Sequence, residues 1–206
     1  GTNGAGKTTM LRCMATLLKP TSGRITVEGA DTVNQGEEVR RKIGFLTNEI
    51  KLDPQFRLCY LVHFFGQLHG MTEEAIEKRK EELFHRFDIM DFQDKLIEEL
   101  STGMKQKAAI AVSLIHDPDV IIFDEPTSGL DIITARAVTD YLLELKEKGK
   151  TIVMSTHIMS EAEKLCDRIA IIMDGKKQME GTLEEILAHT GQRDLEDAFF
   201  VLYQNA

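Results

Sequence analysis

The sequence predicts an α/β domain whose mainly parallel sheet is flanked by helices and interrupted by an inserted helical subdomain. Three observations predict it. A glycine-rich opening, Gly1 to Gly6, runs straight into helical spacing; the second half alternates short apolar runs with helical ones; and the middle of the chain carries long amphipathic periodicity. The 206 residues, 42% of them apolar, suffice for one domain with a real core. We read 1–206 as a single domain, with 1–49 and 118–206 forming the α/β core and 50–117 the helical subdomain.

Thr8 to Leu18 lacks Gly and Pro and places Met10, Leu11, Met14, Leu17 and Leu18 at helical spacing, with Pro20 to close the helix. Thr21, Ser22 and Gly23 turn into an alternating strand at Ile25 and Val27, which Gly29 ends. Beyond the charged Glu37 to Lys42, Ile43 to Thr47 reads as a second strand. From about Leu58 to Phe87 the pattern is helical: an apolar segment Leu58 to Leu68, then Thr72 as N-cap of a helix opening with Glu73 and Glu74. Ser101 offers another N-cap ahead of Ala108 to Ile115, and Asp117 with Pro118 stops that helix before the strand Val120 to Phe123. A helix Ile132 to Lys148 closed by Gly149, a strand Thr151 to Ser155, a helix Ile158 to Leu165 and a strand Arg168 to Met173 follow. Asp174 and Gly175 turn into a short strand Lys177 to Glu180. Thr182 then caps Leu183 to Ala188, and Leu195 to Tyr203 is the last helix.

Composition removes several function classes. Lys plus Arg number 25 against 34 Asp plus Glu, a net charge of -9 that disfavours a broad grip on a phosphate backbone. With a mean hydropathy of -0.20 and no apolar run near the ~18 residues a bilayer crossing needs, the sequence shows no transmembrane helix. Cys13, Cys59 and Cys166 lack the spacing of a zinc site or a redox pair and read as buried thiols.

Two motifs carry chemistry. Gly1-Thr2-Asn3-Gly4-Ala5-Gly6-Lys7-Thr8 fits a phosphate-binding loop, in which backbone amides surround phosphates and the following helix adds its dipole. Lys7 would reach the β- and γ-phosphates, and Thr8 would offer its hydroxyl to Mg²⁺. Val120 to Phe123 is an apolar strand ending in Asp124 and Glu125, at the edge where an open α/β sheet presents ligand-facing residues. Asp124 suits Mg²⁺, and Glu125 suits a general base for water attacking the γ-phosphate.

Gly1 to Thr9, Leu100-Ser101-Thr102-Gly103-Met104, Asp124-Glu125-Pro126-Thr127, Ser128-Gly129-Leu130-Asp131 and Ser155-Thr156-His157 resemble, in order and separation, the motifs of ABC-transporter ATPase subunits. Their core is a P-loop NTPase fold, and the resemblance spans essentially the whole chain. Gly44-Phe45-Leu46-Thr47 and Ser101 to Gln106 are most similar to ATP-binding subunits of sodium-extruding exporters. The resemblance implies ATP and Mg²⁺ as cofactors and a nucleotide site built from Gly1, Thr2, Asn3, Gly4, Ala5, Gly6, Lys7, Thr8 and Thr9. It implies a head-to-tail homodimer in which Ser101 and Gly103 of one copy close the nucleotide of the other. Asp131 lies on the loop between the two sites, and His157 joins Glu125 in catalysis as a γ-phosphate sensor. A transmembrane permease subunit is the implied partner, holding the protein on the cytoplasmic face of the membrane; no nucleic acid is expected.

The sequence departs from the family pattern at Thr102 and Met104, where glycine and glutamine are usual, which puts a ribose contact in doubt. Asn48 stands where a glutamine usually reaches Mg²⁺ and the water, one methylene shorter, with Glu49 as a neighbouring alternative. Phe56, Leu58, Tyr60, Phe64 and Phe65 are candidates for the permease contact, against a plain reading as subdomain core. The family's strand before the phosphate loop, and the aromatic that stacks on adenine, are expected upstream of Gly1. Alternative readings are a soluble ABC ATPase working on ribosomes or nucleic acid, or an exporter subunit for drugs or other cargo; absent Lys/Arg clusters disfavour the former.

Overall fold

The computed structural model describes residues 1–47 and 52–204. Asn48 and Glu49 lie outside the described residues. Helix α1 (Lys7–Met14) follows the glycine loop, then come β1 (Thr26–Val27), β2 (Ala30–Asp31), α2 (Gly36–Lys42) and β3 (Ile43–Leu46). The helical subdomain contributes α3 (Leu58–Leu68), α4 (Glu73–Phe87) and α5 (Thr102–Ser113). The core resumes with β4 (Val120–Asp124), α6 (Ile132–Glu147), β5 (Thr151–Ser155), α7 (Met159–Leu165), β6 (Ile169–Met173), β7 (Lys176–Gly181), α8 (Leu183–Thr190) and α9 (Leu195–Gln204).

Strands β3, β4 and β5 form a parallel sheet in that order, with Leu46 opposite Phe123 and Asp124 opposite Ser155. Every residue of β4 is buried because the strand is central and packed on both faces. Its period of two divides the interior: Ile121 and Phe123 join a core shared by α3–α5 and α6, whereas Val120 and Ile122 pack with Leu11, Val39 and Ile43. On the helical side Leu58, Val62, Ile76, Leu83, Phe84 and Phe87 are at most 1% exposed. Truncating such a residue, Phe84 for instance, costs about 3–5 kcal/mol.

Three local expectations need correction, and one segment the sequence left unassigned is a helix. The first helix stops at Met14 rather than Leu18, because Thr16 turns left-handed at φ 65° and the amides of Leu17 and Leu18 return to the Arg12 carbonyl. Leu17 and Leu18 are therefore exposed. The charged segment before β3 is itself a helix: α2 buries Val39 and carries Glu37–Arg41 and Glu38–Lys42 pairs one turn apart. Outside β3–β5 the pairing is antiparallel, with β1 on β2 and β6 on β7. Of the cysteines only Cys13 is fully buried; Cys59 and Cys166 are partly so, and burial pushes both thiols up.

Strand β5 pairs with β4, and β6 with β7, so each leaves an edge unpaired among the described residues. Both edges border an apolar groove of about 530 Å³, also lined by Gly1, Leu11, Leu142 and Phe199. The permease-contact candidates split: Leu58 and Phe65 belong to the core, whereas Phe56, just ahead of α3, and Tyr60 and Phe64 on it are 40–50% exposed and stack successively.

Candidate functional site

The glycine loop enters α1 through Gly6, the N-cap residue, at φ 96°, with Gly4 at φ 81°. A Cβ at Gly4 would meet nothing within 4 Å, so the backbone conformation, rather than lack of room within the chain, demands glycine there. Gly1 is different: its Cβ would run into the Ile172 carbonyl of β6. Ala5 is buried, while Thr2 is partly buried and Asn3 and Thr9 face outward. Lys7 folds back over its own loop, its Nζ donating to the carbonyls of Gly1 at 2.8 Å and Thr2 at 2.9 Å.

The parallel register between β4 and β5 assembles the rest. Asp124 faces Ser155, whose hydroxyl donates to Asp124 Oδ1, while Thr8 Oγ1 donates to Oδ2 at 2.6 Å. One carboxylate thus ties strand β5 to the first turn of α1. Immediately beyond, Glu125 takes φ 50°, and its amide donates to the Ser155 carbonyl at 3.0 Å. Its Oε1 lies 3.2 Å from His157 Nδ1 and 3.9 Å from Lys7 Nζ. The loop, Lys7, Thr8, Asp124, Glu125 and His157 therefore converge on one corner at the C-terminal end of the sheet.

Ser101, Gly103 and Asp131 form a second grouping. Ser101 caps α5 by accepting from the Met104 amide at 3.3 Å, and both Ser101 and Thr102 are exposed. Asp131 caps α6, accepting from the amides of Ile133 and Thr134 at 3.0 Å and from the Thr134 hydroxyl at 2.7 Å. The Thr134 amide, ahead of that hydroxyl, holds its carboxyl below the usual range. A Cβ at Gly103 would stand 3.6 Å from Asp131 Oδ2, so these two motifs abut within the chain. Among the described residues no hydrogen bond or ion pair joins them to the phosphate loop. Next to Asp131, Ile132 and Ile133 are 84% and 78% exposed, an apolar step that sequence reading passed over.

Sequence reading also missed the supports. Gln106 Nε2 donates to the Pro126 carbonyl at 3.0 Å, linking α5 to the turn after Glu125. Ser155, Thr127 and Glu161 likewise brace the corner. The sequence places Ser155 and Thr127 within motifs but not their partners: the strand register sets Ser155 against Asp124, and the pairing of Thr127 with Glu161 spans 34 positions with no local pattern.

Thr8 and Asp124 supply hydroxyl and carboxylate oxygens side by side, the hard donor set that Mg²⁺ takes. Among the described residues no helix is long and apolar enough to cross a membrane.

Comparison with known proteins places this geometry. The model of the family described as ABC transporter matches residues 1–128. The ABC transporter ATP-binding protein NatA of Bacillus subtilis is 44% identical over 200 residues, covering 97% of this chain and 81% of the relative. A solved ATP-binding subunit of an ABC transporter superposes with a TM-score of 0.92 at 30% identity, over 98% of this chain and 85% of the other. The dimeric ATP-binding cassette MJ0796, in a post-hydrolysis state bound to ADP and Pi, gives a TM-score of 0.80 at 30% identity, over 89% and 83%.

Proposed function

The chain belongs to the ABC transporter family and is an ATP-hydrolysing subunit of it, and from that premise we propose that its phosphate-loop corner cleaves ATP only when a second copy closes over the site. The observation that carries this reading is the meeting of Lys7 and His157 on one oxygen of Glu125, directly beside the loop that would hold the phosphates.

The amides of Gly1 to Thr9 surround the phosphates, and the positive end of α1 adds to the attraction. Lys7, already inside the loop, turns from its carbonyls to the β- and γ-phosphates. Thr8 and Asp124 would hold Mg²⁺, with Asn48 a further proposed donor; when bound, the ion neutralises charge on the β- and γ-phosphate oxygens. Glu125 takes the proton of the attacking water as its oxygen bonds to the γ-phosphorus, and the bond to the β–γ bridging oxygen breaks to release ADP. His157 holds Glu125 from the Oε1 side and contacts the γ-phosphate.

The half that one copy lacks is a cap over the γ-phosphate. Ser101 and the amide of Gly103, at the exposed start of α5, are built to supply it to a neighbour, since a helix N-terminus presents free N–H groups to an anion. Asp131 joins the two sites, and Ile132 and Ile133 give the same face apolar area. The dimeric state of the cassette MJ0796 supports this arrangement. The exposed Phe56, Tyr60 and Phe64 face is the proposed contact with a membrane permease, which would place the protein at the cytoplasmic face of the membrane. Export, with sodium as cargo, is supported by the resemblance in Gly44 to Thr47 and Ser101 to Gln106.

Turnover measured against subunit concentration tests the reading. ATPase rate per subunit should fall on dilution, because the competent site forms only in the dimer; a rate per subunit constant down to high dilution would overturn it.

A further inference from the structure

Beyond the last paired residues of β4 and β5, Asp124 and Ser155, the two chain segments that carry Glu125 and His157 leave the sheet. The last ladder bond runs from the Glu125 amide to the Ser155 carbonyl at 3.0 Å, and beyond it pairing no longer fixes the spacing of the segments that carry Thr127, Thr156 and His157. Glu161, in the first turn of α7, reaches across both: its Oε1 accepts from the hydroxyl of buried Thr127, and its Oε2 accepts from the Thr156 hydroxyl at 2.9 Å. Thr156 Oγ1 in turn accepts from the Ile158 amide at 2.9 Å, which fixes the turn that holds His157. Tracing the contacts gives a closed ring: Glu125 through Pro126 to Thr127, across Glu161 to Thr156, then to His157 and back to Glu125 at 3.2 Å.

We propose that Glu161 is a positioning residue for hydrolysis, its carboxylate bridging Thr127 and Thr156 so that His157 and Glu125 stay in register. A carboxylate suits the task because it offers an acceptor to each hydroxyl at once. An amide in its place would keep one acceptor and present a donor to the other hydroxyl, which can rotate to accept. Glu161 touches neither Lys7 nor the loop in any contact described, so its effect falls on the chemical step rather than on nucleotide capture. The inference rests on the reading of Glu125 as base.

The test compares Glu161→Ala, Glu161→Gln and Thr156→Val in the full-length protein with Mg-ATP, alone and combined with Glu125→Gln. Glu161→Ala should lower kcat about tenfold, since small misplacements of reacting groups carry costs of that order or larger. Equilibrium ATP affinity should stay within about twofold, and Glu161→Gln should restore most of the rate. On the Glu125→Gln background, Glu161→Ala should add no further loss in single turnover, the signature of two residues acting as a unit. Unchanged kcat, ATP affinity falling in step with kcat, or losses that multiply in the double variant would each overturn the proposal. Thr156→Val removes one leg of the bridge and carries the same expectations if Glu161→Ala does not fold. Should Glu125→Gln alone keep full turnover, the base assignment fails, and that outcome is distinct from the others.

Discussion

The corner around Asp124 and the start of α5 are both anion-binding designs, yet they are finished to different degrees. At the corner each functional group already has an internal partner: Lys7 has two carbonyls, Asp124 two hydroxyls, Glu125 an imidazole. At α5 the Ser101 oxygen satisfies one amide of the first turn, and the helix end faces outward. On the proposed reading one copy carries the groups for cleavage and only part of the enclosure, so chemistry and assembly can be broken separately.

Breaking the closed corner should have the largest effect. Glu125→Gln is expected to lower single-turnover hydrolysis by about 10²–10⁴-fold while ATP still binds, because only the proton acceptor is lost. Rapid-quench assays alongside equilibrium binding check this, and unaltered hydrolysis would move the base elsewhere. Breaking the open end should matter less and differently. Ser101→Arg is expected to reduce dimer-dependent turnover roughly 10–100-fold, the worth of hydrogen bonds to a charged group, without weakening nucleotide capture by the monomer. Part of any stability loss there, about 1 kcal/mol, belongs to the lost N-cap.

The smallest effect concerns the seam that seats α5 on the core. His116 Nε2 donates to the Ile43 carbonyl at 2.9 Å, its ring stacks on His69 at 3.6 Å, and its buried Nδ1 has no partner among the described residues. Burial, followed by the neighbouring His69, pushes its pKa down to about 4, with Asp117 and Arg79 pulling in opposite senses. The folded form therefore resists a proton that the unfolded chain accepts near 6.5. Stability from this group is full above about pH 6.5 and is lost as pH falls toward 4, by about 2 kcal/mol at pH 5. Denaturant melts at pH 7 and pH 5 should show the loss, and His116→Asn should flatten it. A slope that the substitution leaves untouched would detach His116 from the acid response.

The sequence made much of this legible because the relevant signals are local. Thr72, Ser101 and Thr182 announce helix starts through a hydroxyl and the amide three residues on, and all three cap as expected. The loop before α1 and the carboxylates after β4 follow from glycine spacing and from an apolar run ending in charge. The short helix α2 stayed hidden because its six charged or small residues, three on each side of a single buried valine, carry little periodicity. Of the β1–β2 hairpin, alternation at Ile25 and Val27 marks the first strand, whereas β2 is two residues long, too short for alternation to register.

By itself the sequence determined the class of fold, the phosphate loop, the paired carboxylates and the order of the motifs, because each depends on neighbours within one turn or one strand. Tertiary structure alone decided that Asp124 is shared by Thr8 and Ser155, that Gly103 rests beside Asp131, and that Glu161 bridges two segments. Apart from the Thr156–Glu161 bond, which spans five positions, those contacts join residues 28 to 116 positions apart. Parallel register and helix packing set such distances, and no local spacing encodes them.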